Sequence, residues 1–326
     1  MSESREPTSE TNAPVTTAVL GGGSIGVAFA VVFLRAGFTV RIYEPQDERR
    51  DLVAQEVSTK LSALADAGLV DRITASETTT AGQLTVYPSL DETVHGADLV
   101  QECVPEDLEL KRSLFTQISP LLGERAVLAS SSSAITASTS TRGLPCSSQT
   151  LVAHPGNPPY LLPVIEIVPS PVTSPAITET ATGIYRRAGL SPVVLAKEVE
   201  GFVFNRLQGA VLREAYALVR DGVASVESID TVMRDGLGRR WAFMGPFETV
   251  DLNTRGGIAS HAEKMGPAYE RMGAERGQHD PWTPGLVDEV ARQRRDLLPL
   301  DEWENRVAWR DRQLIRQTLL TAKDKP

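Results

Sequence analysis

Residues 18–26 read Ala18-Val19-Leu20-Gly21-Gly22-Gly23-Ser24-Ile25-Gly26, and this stretch decides the fold. A short apolar run at 17–20 stops at three glycines, and an apolar helical run follows over 24–36. GxGxxG between a strand and a helix is the arrangement that binds a dinucleotide. Gly21 permits the tight turn, Gly23 lets the backbone approach a pyrophosphate, and Gly26 lets the helix lie close on the strand. The helix start leaves the N–H groups of Ser24, Ile25 and Gly26 without intrahelical acceptors and at positive potential, which suits a diphosphate. Glu44 closes the next strand, Arg41-Ile42-Tyr43-Glu44. A carboxylate there accepts hydrogen bonds from ribose hydroxyls and repels a 2′-phosphate, which points to NAD over NADP despite Arg49 and Arg50 nearby. Gly21, Gly23, Ser24, Ile25, Gly26 and Glu44 are therefore the candidate cofactor-binding residues.

Working outward, strands are predicted at 17–20, 39–43, 99–102, 126–130, 150–153, 164–168 and 193–195, with amphipathic helices between them at 107–122 and 177–188. Strand–helix alternation predicts a parallel sheet covered by helices. After Gly201 strand signals vanish, and helical periodicity runs through 202–221, 226–234, 247–265, 267–276 and 303–321, punctuated by Gly and Pro as at Gly245-Pro246 and 281–285. The expected architecture is a polar tail over 1–15, an α/β Rossmann-type domain over 16–199, and an all-helical domain over 200–326.

Composition narrows the function. The 326 residues are 41% hydrophobic and 23% charged, the balance of a globular protein with ample core. A formal net charge of −9 argues against nucleic acid, which needs a basic face. No apolar run reaches membrane-spanning length, and the first fifteen residues lack the apolar centre of a signal peptide. Cys103 and Cys146 form no CxxC pair, which fits a reducing cytoplasm. His95, His154, His261 and His279 have no metal-ligand spacing, so no metal is expected.

A dinucleotide domain implies hydride chemistry, and oxidation of a carbinol needs a base for the hydroxyl proton. A histidine held by a carboxylate suits that task near neutral pH. The alternative Tyr–Lys arrangement is not expected, because no tyrosine has Lys four residues later. Four segments carry the positive case: LASSSSAI at 128–135, LVAHPGNPP at 151–159, VIEIV at 164–168 and GFVFNRL at 201–207. Glu166 interrupts a strand of Val and Ile, where an unpaired charge is costly, and His154 is its natural partner. Cys103 reads as an inert buried thiol.

At these residues the sequence resembles the 3-hydroxyacyl-CoA dehydrogenase family, which uses a histidine–glutamate pair with a serine and an asparagine at the substrate. The matching positions are His154, Glu166, Ser133 and Asn205. The resemblance covers nearly the whole chain after the tail and is closest to the λ-crystallin branch, whose activity is L-gulonate 3-dehydrogenase. QECVPEDLELK at 101–111, VAHPGNPPY at 152–160, GFVFNRLQ at 201–208 and GLGRRWAFMGPFET at 236–249 carry that closer match. The resemblance also implies that Glu106 and Lys111 lie beside the nicotinamide end of NAD. It further implies an active site between the domains, an L or (S) alcohol, and a homodimer formed through the helical domain. The sequence departs from the family pattern before Ser133, where Ser-Ser-Ser stands in place of Asn-Thr-Ser and removes a carboxamide.

The substrate is expected to be a small molecule, either a free 3-hydroxy acid or its thioester. Residues 47–82 hold four basic and seven acidic residues, a local charge of −3 that disfavours a polyphosphate tail such as that of coenzyme A. Arg240, in GLGRRWAF, matches the λ-crystallin branch and can grip a carboxylate in bidentate fashion. The expectation is NAD-dependent oxidation of a short L-3-hydroxy acid, with the 3-hydroxyacyl-CoA reaction as the first alternative. A non-catalytic nucleotide-binding structural protein is the second.

Overall fold

The computed structural model describes residues 14–76, 82–242, 245–253, 257–276 and isolated positions between 285 and 319. Most of the tail, Phe243, the 281–284 segment and much of the helix expected at 303–321 lie outside the described residues. Eight strands are present: β1 Thr16–Leu20, β2 Thr39–Tyr43, β3 Leu84–Tyr87, β4 Leu99–Glu102, β5 Val127–Ser130, β6 Thr150–Pro155, β7 Val164–Pro169 and β8 Ser191–Val194. They form one sheet in the order β3-β2-β1-β4-β5-β6-β7-β8. The first six pair in parallel, β6 and β7 pair antiparallel, and β8 is parallel to β7. The sheet is thus parallel-dominated, with one reversal that the sequence did not signal.

β1 shows how the sheet is buried on both faces. Val19 packs in a cluster with Phe29, Phe33, Val57 and Leu61, while Ala18 and Leu20 pack in another with Val100, Phe115 and Leu128. Alternate residues of a strand point to opposite faces, so one strand feeds two cores. The covering helices are α1 Ser24–Arg35, α2 Asp47–Asp66, α3 Leu90–Val94, α4 Leu108–Ile118, α5 Ala137–Ser140 and α6 Pro175–Arg187. Strand β3 was not foreseen. It is a four-residue edge strand with no fully buried position, so it has no continuous apolar run to betray it.

The chain divides into two compact units, residues 1–206 with 310–326 and residues 207–309. Helix α7, Phe204–Arg220, begins in the first unit and continues into the second. The second unit then carries α8 Val226–Thr231, a π-helical turn Val232–Leu237, α9 Gly238–Trp241, α10 Pro246–Asn253 and α11 Gly257–Arg276, with no strand among its described residues. Helix α11 runs through Pro267, where the sequence reading expects a break. A proline deletes one donor and crowds one carbonyl, and a twenty-residue helix keeps its other bonds. Among the described residues no helix is long and apolar enough to cross a membrane.

β1 lies between β2 and β4, so the chain leaves it in opposite directions on either side. Such a switch point opens a crevice at the carboxyl ends of the strands. The glycine loop fills the place where β1 meets it. Gly21 has φ +111, and a Cβ there would meet the Cys103 carbonyl oxygen at 3.0 Å. A Cβ on Gly26 would lie 1.9 Å from the Gly21 oxygen, whereas one on Gly23 would meet nothing within 4 Å. Gly26→Ala is therefore expected to destabilise the fold by about 1–3 kcal/mol, lowering Tm by several degrees. Gly23→Ala should melt like the wild type while weakening NADH binding. Thermal melts of the two variants check this, and equal Tm values would contradict the close packing at Gly26.

Candidate active site

The antiparallel pairing of β6 with β7 sets His154 directly opposite Glu166. Residues so paired project from the same face, and His154 Nδ1 lies 2.8 Å from Glu166 Oε2. The sequence reading ended the strand at Ala153 and put His154 in the following loop. The structure carries β6 on to Pro155, because a proline at the last strand position gives up a donor the ladder does not need. Both members are buried, at 6% and 3% exposure. A carboxylate accepting at Nδ1 fixes the imidazole with its proton there and leaves Nε2 as the basic nitrogen. Among the described residues, none hydrogen-bonds Nε2.

Glu166 also accepts at its other oxygen. Val203 N–H and Phe204 N–H donate to Oε1 at 2.7 and 3.0 Å. These are groups at the start of α7, which have no helical acceptor and sit at positive potential. Two consecutive left-handed residues, Gly201 at φ 74 and Phe202 at φ 49, turn the chain to aim them. An aromatic residue takes that conformation at a cost of about 1–3 kcal/mol, and burial offsets it here. The Phe202 side chain is fully buried with Ala137, Val152, Val168 and Leu195, and its ring lies 5.5 Å from the His154 ring. Burial pushes the Glu166 carboxyl up, but the bonds from His154, Phe204 and Val203 outweigh it and hold the group below its ordinary value.

The serine loop leaves the carboxyl end of β5, beside β6. Ser132 Oγ–H, Ser133 N–H and Ala134 N–H donate to Glu106 Oε1 at 2.5, 3.1 and 3.0 Å. Asn205 Nδ2 donates to the Ser133 carbonyl oxygen at 3.4 Å. Burial raises the Glu106 carboxyl, yet Ser132, Lys111 and the Ala134 N–H together hold it below its ordinary range. Lys111 Nζ lies 3.4 Å from Glu106 Oε2, but its main partner is Glu102, at 2.8 and 2.9 Å. Glu102 is wholly buried, and Ser130 Oγ–H and Val104 N–H also donate to it. Burial drives the Glu102 carboxyl up against the pull of Lys111. The Cys103 thiol is pushed up by burial and by the charge of Glu102, which keeps it protonated and inert.

A run of contacts thus joins six of the residues singled out from the sequence: His154 and Glu166, the α7 start with Asn205, then Ser133, Glu106 and Lys111. Arg240 is exposed on α9 in the second unit, and among the described residues nothing pairs with it. The sequence reading missed Glu102, Ser130 and Ser132, and the conformation of Phe202. Glu102 carries a related signal, a carboxylate at the buried end of β4.

The glycine loop fits a dinucleotide on this structure's own terms. Helix α1 has no side-chain cap and no acidic residue in its first turn, so its first N–H groups are left for an anion. Gly23 faces open space, and Glu44, 8% exposed, receives Gly22 N–H and Gln46 N–H at 3.1 and 3.0 Å. Each of its oxygens keeps a lone pair for a ribose hydroxyl.

A carboxylate whose folded pKa is depressed contributes stability above its unfolded value and loses it as pH falls through the folded one. The protein is therefore expected to lose thermal stability as pH drops below about 4.5. Glu166→Gln, with no proton to take up there, should lose less over the same interval. Tm measured against pH for both proteins checks this, and parallel acid limbs would contradict the linkage.

Comparison with known proteins identifies the family. The 3-hydroxyacyl-CoA dehydrogenase NAD-binding domain matches residues 16–199, and the C-terminal domain of the same family matches residues 201–295. Rabbit (Oryctolagus cuniculus) λ-crystallin is 36% identical over 314 residues, which cover 94% of this chain and 97% of that one. The L-carnitine dehydrogenase of Oceanobacillus iheyensis is 36% identical over 278 residues, 84% of this chain and 86% of its own. The solved structure of 5-formyl-3-hydroxy-2-methylpyridine 4-carboxylic acid 5-dehydrogenase, an NAD+-dependent dismutase, superposes with TM-score 0.80 at 25% identity, covering 93% of this chain and 97% of that one. With both domains matched and the nucleotide loop built to receive NAD, this chain belongs to the 3-hydroxyacyl-CoA dehydrogenase family of NAD-dependent oxidoreductases.

Proposed function

We propose that this protein catalyses the reversible oxidation of a short L-3-hydroxy acid to its 3-oxo acid, with NAD as electron acceptor and His154 as proton acceptor. The observation that carries the reading is the buried 2.8 Å pair of His154 and Glu166. The glycine loop and Glu44 would hold NAD, which would supply the acceptor for the C3 hydride. The hydroxyl proton goes to His154 Nε2, and the C3–O bond becomes a carbonyl. Ionised Glu166 keeps the proton of the resting imidazole on Nδ1 and stabilises the imidazolium that forms. Ser133 and Asn205 hydrogen-bond the substrate near the reacting oxygen. Glu106 holds the serine loop in place for that contact.

Three observations favour a free acid over a thioester. Residues 47–82 carry a net charge of −3, unsuited to a polyphosphate tail. Arg240 is an exposed guanidinium with no partner among the described residues, available to pair with a carboxylate. L-Carnitine and the pyridine carboxylic acid named for two similar proteins are both free carboxylates. The rival is a 3-hydroxyacyl-CoA substrate, the one in the family's own name. Reduction of acetoacetate and of acetoacetyl-CoA, followed by NADH absorbance, separates them. The free acid is expected to give the higher kcat/KM, and Arg240→Leu should raise its KM by about tenfold or more. Faster turnover of the thioester, with KM unmoved by Arg240→Leu, would overturn the free-acid reading.

A further inference from the structure

Glu44 does not act alone at the end of β2. Gly22, between the motif glycines, is pinned from both sides. Its N–H donates to Glu44 Oε2 at 3.1 Å, and its carbonyl accepts from Arg49 Nε and Nη2 at 3.0 and 2.6 Å. A Cβ at Gly22 would fall 2.8 Å from Glu44 Oε2, so Glu44 and the arginine flank one residue closely. Arg49 Nη1 and Nη2 are in turn held by Glu56 at 2.5 and 2.9 Å. Arg49 and Glu56 sit two turns apart on one face of α2. The Arg49 bond holds Glu56 below the usual carboxylate range, so it is ionised at neutral pH. The neighbouring Arg50 is occupied too, by the Glu44 and Pro45 carbonyl oxygens at 3.1 and 3.0 Å and by Asp47.

Dinucleotide folds use an acid at this position for the ribose 2′-hydroxyl, or an arginine nearby for a 2′-phosphate. This chain has both. We propose that Glu56 is a second determinant of cofactor choice: by occupying the guanidinium fork of Arg49, it withholds from NADP the cation that would bind the 2′-phosphate. Glu44 repels the phosphate, and Glu56 removes its partner. Loss of Glu44 alone then leaves NADP without a fully available guanidinium.

The test is the ratio of dissociation constants for NADPH and NADH, read by fluorescence titration of the full chain in the absence of substrate. Glu44→Ser alone is expected to leave NADPH poorly bound. Glu44→Ser with Glu56→Gln should shift the ratio towards NADPH by about tenfold relative to Glu44→Ser, the scale of one charge-assisted contact. Adding Arg49→Leu should erase that gain. Glu56→Gln in the wild-type background keeps the test available should the double variant fold poorly, and it is expected to shift the ratio severalfold in the same direction. Glu48→Gln removes an exposed acid from the same helix without touching Arg49, and should shift the ratio little. Equal ratios with and without Glu56, or an equal shift from Glu48→Gln, would overturn the proposal.

Discussion

Glu166 is a charge set in the apolar strand β7, and it has to be satisfied where it stands. Three donors meet it: the His154 imidazole and the N–H groups of Val203 and Phe204. Each fixes something larger. The histidine bond depends on the β6–β7 register, because a slip of one residue would send the two side chains to opposite faces. The backbone bonds tie the start of α7 to the sheet, and the left-handed turn at Gly201 and Phe202 exists to make them. Breaking the set by losing one donor would leave a buried charge short of partners, which costs more than an ordinary hydrogen bond.

The same physics recurs along the carboxyl edge of the sheet. Glu102 gathers Lys111, Ser130 and Val104, Glu106 gathers the serine loop, and Glu44 gathers Gly22 and Gln46. The loops after β1, β2, β4 and β5 are each held by a carboxylate. Dipoles held in this way need no rearrangement when charge develops in a reaction. The proposed preference for a free acid rests on other residues, namely Arg240 and the acidic stretch after Glu44. The proposed catalytic pair therefore says little about what is oxidised.

Much of this was legible in the sequence because it obeys local rules. The glycine spacing, the strand before it and Glu44 after it describe a nucleotide site without further help. The family resemblance marked His154 and Glu166, and a charge in a run of Val and Ile is consistent with that pairing. What stayed hidden depends on pairing across the chain. The antiparallel turn of β6 into β7 leaves no mark in periodicity, since both directions alternate alike. Strand β3 is a short edge with no fully buried position, so its pattern is weak. The serine loop reads as four equivalent hydroxyls. Only the fold distinguishes Ser130, bonded to Glu102, from Ser132, bonded to Glu106, and from Ser133, whose hydroxyl makes no bond to a described residue. The positive φ of Phe202 lies one residue beyond the glycine that would announce it.

We propose that His154 is the proton acceptor and that its role is chemical. His154→Asn tests it most directly, because asparagine can still donate to Glu166 and preserve the local packing. Turnover is expected to fall by roughly 10²–10⁴-fold while the dissociation constant for NADH and the Tm stay near those of the wild type. Loss of NADH binding together with activity would make His154 a structural residue. Retained turnover would assign the proton to another group.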